Sequence, residues 1–146
     1  DVGPAVFRPR SGATAVGARP PLVAFNVWLD SDDVDAARAI ARAVRASSGG
    51  LPGVQAMGVR LASQGCAQIS MNLTDLTRTS LWTALAAVTA EVTRRGLRVR
   101  RRELVGLCPE AALGEFRAGG LALPGFDEAR VLERALGEPR PRSSGI

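Results

Sequence analysis

The chain has 146 residues, 46% of them hydrophobic, with a formal charge of +5 and neither histidine nor tyrosine. That length and apolar content suffice for one compact core without disulfide or metal support, and no apolar run approaches the roughly 20 residues needed to span a bilayer. Two cysteines, Cys66 and Cys108, with no C-x-x-C spacing and no histidine, argue against a zinc site and predict two reduced, mostly buried thiols.

The charge comes mostly from arginine and invites a nucleic-acid reading, but only 4% of residues are aromatic, so the stacking platforms of single-strand binders are scarce. An anionic small ligand is equally compatible with the charge, and so is a plain compositional bias toward arginine and alanine. The chain opens on Asp1-Val2-Gly3-Pro4, with neither the basic start nor the apolar stretch of a signal peptide. The expectation is a soluble protein with something removed upstream, or a chain delimited as a domain.

Residues 1–21 are rich in Gly and Pro without sustained periodicity, and read as an arm or linker leading into a domain over 22–137. Leu22 to Leu29 is nearly all apolar, as in a strand buried on both faces, with Asn26 its polar exception. Ser31-Asp32-Asp33 supplies an N-cap and a negative first turn to a helix whose apolar stripe is Val34, Ala37, Ile40, Ala41 and Val44. Ser47-Ser48-Gly49-Gly50 stops it. Val54 to Leu61 and Cys66 to Leu73 form a hairpin around Ser63-Gln64-Gly65. Thr79 or Ser80 then caps a second helix with Leu81, Leu85, Val88 and Val92 along one face, ending at Arg94-Arg95-Gly96. Leu97 to Leu107 is the next strand. Beyond Pro109, a short helix is predicted over Glu110 to Arg117 and another over Phe126 to Leu136, followed by a frayed tail over 138–146.

The order strand, helix, strand, strand, helix, strand is the split βαβ arrangement of a ferredoxin-like α+β sandwich. Right-handed crossovers place the first and third strands centrally with the last strand beside the first. Both helices then cover one face of the sheet. The other face, built from apolar central strands, calls for a covering partner.

Asn26 and Asn72 are polar residues in what should be neighbouring central strands, and buried amides need partners. Either they bond to each other or to backbone, or they face a ligand, and the alternation of Gln68, Ser70 and Asn72 onto one face favours the second reading. Arg98, Arg100 and Arg102 share one face of the last strand by the same alternation. They read either as a solvated, aggregation-resistant edge or as a guide for a polyanionic ligand, with Arg19 and Arg60 weaker candidates. Glu103, the one acid in that strand, is expected to be an ion-pair partner.

Several stretches, in order, resemble the C-terminal subdomain of the formiminotransferase domain. They are the run from Ser11 through Arg19-Pro20-Pro21 to Val27, then Ser47 to Leu51, Val54 to Val59, Gln68 to Thr74, and Glu103 to Leu107. The resemblance spans about Gly3 to Leu136. It implies a glutamate formimidoyltransferase, which moves a formimino group between N-formimino-L-glutamate and tetrahydrofolate, the latter as co-substrate and with no metal. It implies that Val2 to Ser11 is the folate-contacting segment, where Gly3, Pro4, Phe7 and Pro9 keep the family pattern while Arg8 and Arg10 depart from it. Val2, Ser11, Asn26, Ser70 and Asn72 complete the folate-binding set that the resemblance suggests.

In that family each half is ferredoxin-like, the two sheets face one another across a folate tunnel, and the catalytic histidine lies in the N-terminal half. The resemblance therefore implies an N-terminal subdomain as partner, a cytoplasmic homodimer, and no catalytic residue in this chain, which alone should be inactive. A stand-alone folate-binding or regulatory module is a second reading. An RNA-binding ferredoxin-like domain is a third, weakened because Phe25 and Trp28 lie on opposite faces of their strand.

Overall fold

The computed structural model describes residues 16–118 and 126–137, with isolated positions at 10, 12, 14 and 123. Its elements in chain order are strand β1 (Val23–Leu29), helix α1 (Val34–Val44), strands β2 (Val54–Leu61) and β3 (Cys66–Leu73), helix α2 (Leu81–Arg94), strand β4 (Val99–Val105), and helices α3 (Glu110–Ala118) and α4 (Leu132–Gly137). The four strands form one antiparallel sheet in the order β2-β3-β1-β4. The first and third strands are thus central and the last lies beside the first, the α+β ferredoxin-like arrangement expected from the order of elements.

Local chemistry accounts for the element boundaries. The Asp33 side chain accepts a hydrogen bond from the Ala36 amide at 2.8 Å and starts α1, and Ser80 accepts from the Thr83 amide at 3.2 Å and starts α2. Each cap satisfies an amide that has no partner within its helix. Thr79, one residue before, is buried and donates to the Pro52 carbonyl at 2.6 Å, tying the start of α2 to the approach of β2. Between β2 and β3 a short 3-10 turn, Ala62–Gln64, ends at Gly65 in the left-handed conformation (φ 58°), where a side chain would be strained.

The core lies between the sheet and its helices. Val23, Phe25, Val27 and Leu29 of β1 are fully buried, as are Ile69, Met71 and Leu73 of β3. Ala37, Ile40, Ala41 and Val44 of α1 and Leu81, Ala84, Leu85, Val88 and Val92 of α2 pack onto them. Phe116 of α3 closes the layer, 5.9 Å from the Phe25 ring and edge-on to Trp82 at 6.1 Å, a favoured aromatic geometry. Gly58 of β2 lies against the backbone of α1: a β-carbon there would come within 2.2 Å of the Arg38 nitrogen. The helix approaches this strand closely because no side chain intervenes. No helix of the described residues is long and apolar enough to cross a membrane.

Three expectations need correction. The last strand is shorter than Leu97 to Leu107. Leu97 still donates its amide to the Val92 carbonyl at the end of α2, and Gly106, at φ 75°, turns the chain out of the sheet. Phe126 to Leu136 is not one helix but a 3-10 turn, Glu128–Arg130, followed by α4. The backbone between them bonds elsewhere: the Cys108 amide donates to the Arg130 carbonyl and the Leu132 amide to the Cys108 carbonyl, both at 2.9 Å. Those groups are no longer free for a helical ladder. Finally, β1 is not equally buried on both sides, for Ala24, Asn26 and Trp28 are only half-buried.

Candidate functional site

The sheet face opposite the helices follows from strand alternation, since residues paired across antiparallel strands point to the same side. From β1 it receives Ala24, Asn26 and Trp28, and from β3 the facing partners Asn72, Ser70 and Gln68. β2 adds Gln55, Met57 and Val59, while β4 adds Val105, Glu103 and Arg101. This face is mixed rather than apolar. Met57 is 60% exposed and Val105 45%, whereas Gln68, in the central strand, is only 6% exposed.

Glu103 organises one half of it. Its Oε2 accepts from Asn26 Nδ2 and from Trp28 Nε1, each at 3.3 Å, and its Oε1 lies 3.4 Å from Arg101 Nη2. The Arg101 guanidinium also sits over the Trp28 ring, 5.2 Å from its centroid. An exposed cation–π contact of this kind contributes about 0.5–1 kcal/mol, and the half-exposed ion pair about 0.2–1 kcal/mol. The larger consequence is orientation, because four side chains from two adjacent strands hold each other in place. The groups available are an amide, an indole N–H, a carboxylate and a guanidinium, which suit binding and alignment of a polar ligand. The chain has no histidine, the side chain whose ordinary pKa lies nearest neutrality. Burial, with Glu133 and Glu110 nearby, raises the pKa of the Cys108 thiol to about 11.

Asn26, Ser70 and Asn72 come together on this face, as strand alternation predicts. Asn26 is directly opposite Ser70, while Asn72 faces Ala24, so the two asparagines are diagonal neighbours. Asn26 bonds to Glu103 rather than to its fellow amide. Arg10 is exposed. Val2, Gly3, Pro4, Phe7, Arg8, Pro9 and Ser11 lie outside the described residues.

The expected common face of Arg98, Arg100 and Arg102 is not observed. The pairing of β4 with β1 shifts between Trp28 and Leu29, Trp28 facing Arg101 and Leu29 facing Val99. Arg100 is the extra residue of this bulge, and it donates to the Gln64 carbonyl at 3.2 Å. An inserted residue reverses the alternation beyond it. The reversal brings Val99, opposite Leu29, to the helix-covered side; Arg102, opposite Val27, shares that side with Leu104 by unbroken alternation, and Arg101 shares the open face with Glu103. Arg98 precedes the strand, and Arg60 is paired with Asp32 at 2.7 Å. Arg101 and Trp28, each two residues along the strand from Glu103 and Asn26, are further members of the site.

Residues 24–118, from β1 through α3, match the family model of the formiminotransferase domain. The chain belongs to the formiminotransferase domain family. Within it, the chain is 40% identical over 137 residues to the glutamate formimidoyltransferase of Streptococcus pyogenes serotype M1, a match covering 93% of this chain and 46% of the relative. It is likewise 40% identical over 136 residues to the glutamate formimidoyltransferase of Thermoplasma acidophilum, covering 93% of this chain and 45% of the relative. Against the formimidoyltransferase-cyclodeaminase of Sus scrofa the identity is 40% over 119 residues, 77% of this chain and 22% of the relative. The chain therefore spans just under half the length of the two formimidoyltransferases. The matched span of the formiminotransferase domain contains all four strands, and with them the whole open face built around Glu103.

Proposed function

We propose that this chain supplies the C-terminal, folate-binding half of a glutamate formimidoyltransferase, transferring a formimino group between N-formimino-L-glutamate and tetrahydrofolate. The observation that carries the reading is the open sheet face, where Asn26, Ser70 and Asn72 stand as neighbours beside the Glu103 cluster in a chain of this family. Amides and a hydroxyl at strand spacing can pair with the polar edge of a flat heterocycle, and the half-exposed guanidinium of Arg101 can meet a carboxylate.

In the transfer, an amine of tetrahydrofolate attacks the formimino carbon. The bond from that carbon to the glutamate nitrogen breaks, and a proton moves from the attacking to the departing nitrogen. Positioning the two reactants can come from this face. The proton carrier must be a group near neutral pKa outside this chain, and the matched relatives, about twice as long, have room for it. On the same reading, Val2 to Ser11 is the segment that contacts folate.

The test is to titrate 5-formyltetrahydrofolate, an oxidation-resistant folate, into this chain alone and into this chain mixed with the N-terminal half of the streptococcal relative. Saturable binding that weakens at least tenfold in Asn72→Leu, with formimino transfer only in the mixture, is the expected result. Absence of folate binding in both preparations overturns the proposal. Folate binding without transfer in the mixture leaves a binding module rather than half an enzyme.

A further inference from the structure

We infer that the groove between α2 and β4, on the helix-covered side of the sheet, binds a small carboxylate with an apolar body. The groove encloses about 330 Å³ and is lined by Trp82, Leu85, Ala86 and Thr89 of α2 together with Arg102 of β4. That volume lies at the lower end of the range of small-molecule sites, which are predominantly apolar with a few polar groups that set orientation. Here the walls are an indole and aliphatic side chains, and the charged group is one guanidinium.

Arg102 is the anomaly that points to a ligand. It sits opposite Val27, on the side of the strand where Leu104 is buried in the core. Its Nε is buried and, among the described residues, has no hydrogen-bond partner. Among the described residues Arg102 has no carboxylate within ion-pair range either, and it is the one arginine whose Nε is both buried and unpartnered. A guanidinium offers paired N–H groups to a carboxylate. A carboxylate seated in the groove would meet the Nη groups of Arg102, which unlike its Nε are not buried, and its apolar remainder would cover Trp82 and Leu85. This site lies on the opposite side of the sheet from Asn26, Ser70 and Asn72, so it stands or falls independently of the proposed folate surface.

The probe is 4-fluorophenylacetate, followed by ¹⁹F NMR, with 4-fluorophenylacetamide as its uncharged counterpart. The expected result is a saturable shift with a Kd on the order of 1 mM, as befits a ligand of this size, and at least tenfold weaker binding of the amide. Arg102→Met, which keeps the aliphatic packing, and Ala86→Leu, which fills the groove from the exposed side of α2 and leaves the guanidinium in place, should each weaken the acid at least tenfold. Circular dichroism of both variants confirms that each is folded, and either one alone suffices if the other is not. Equal binding of acid and amide, undiminished binding by a folded variant, or no saturable shift in the parent protein overturns the inference.

Discussion

Replacing Gly58 by alanine tests whether the close approach of α1 to β2 is built on the absence of a side chain. The added carbon would lie 2.2 Å from the Arg38 nitrogen, 2.4 Å from the Ala37 carbonyl carbon and 2.6 Å from the Arg38 α-carbon, where ordinary contact begins at 3.4 Å. Relief therefore needs a displacement of about 1.2 Å, the difference between 3.4 and 2.2 Å. Every atom in the way is helix backbone, so no rotamer change can provide it. Moving α1 outward loosens Ala37, Ile40, Ala41 and Val44 against the sheet, and gaps of 0.5–1 Å already forfeit roughly a quarter to a half of the dispersion attraction.

Overpacking of this kind costs about 1–3 kcal/mol, and the rigid backbone places Gly58→Ala at the upper end. Gly58 is not at positive φ, so alanine also restricts the unfolded chain and returns about 0.4–1 kcal/mol. The net expectation is a loss of about 2–3 kcal/mol. With an unfolding entropy of about 2.1 cal/mol/K per residue, the corresponding fall in Tm is roughly 7–10 °C for this chain. Urea unfolding followed by circular dichroism, together with a thermal melt, measures it. At Gly114, in α3, an added β-carbon would meet nothing within 4 Å, so Gly114→Ala should instead stabilise by about 0.5–1 kcal/mol. A Gly58→Ala protein within about 0.5 kcal/mol of the parent, or the two substitutions changing stability in the same direction, would refute the reasoning.

Ser80→Ala removes the acceptor of the Thr83 amide at the start of α2 and should cost about 1 kcal/mol in urea unfolding; an unchanged midpoint would show that the cap contributes nothing. Cys108 supplies a pH dependence. Its folded pKa is raised from 9.0 to about 11, so between those values the folded thiol keeps a proton that the unfolded one has lost, and stability falls as pH rises. The contribution is fully present below pH 9, and about 2 kcal/mol should be lost by pH 11. Comparing urea midpoints of the parent and Cys108→Ala across that window isolates it, and parallel curves would contradict the assignment.

The sheet is legible in the sequence because hydrophobic alternation and turn chemistry agree. Val54–Leu61 and Cys66–Leu73 can be read to the residue, and the helix starts at Asp33 and Ser80 follow from side chains that can accept an amide. Asn26, Ser70 and Asn72 group together for the same reason, since a period of two carries across a regular ladder. Regularity is also what fails. The bulge opposite Trp28 and Leu29 has no signature in the run Arg98 to Arg102, so alternation wrongly groups Arg98 and Arg100 with Arg102 and puts Val99 on the open side. The interruption at Val131 is invisible for another reason: its cause is Cys108, more than twenty positions away, and a helical stripe records only neighbours in sequence.

The pairing of Ala24 with Val105 has an architectural corollary. Because β1 and β4 run antiparallel side by side, the polypeptide comes into the sheet and departs from it at the same corner. Segments before β1 and after β4 thus meet beside one another, and α3 needs only a short turn at that corner to lay Leu113 and Phe116 into the core. That wiring suits a module recurring in proteins of very unequal size, as a little under half of one relative and about a fifth of another.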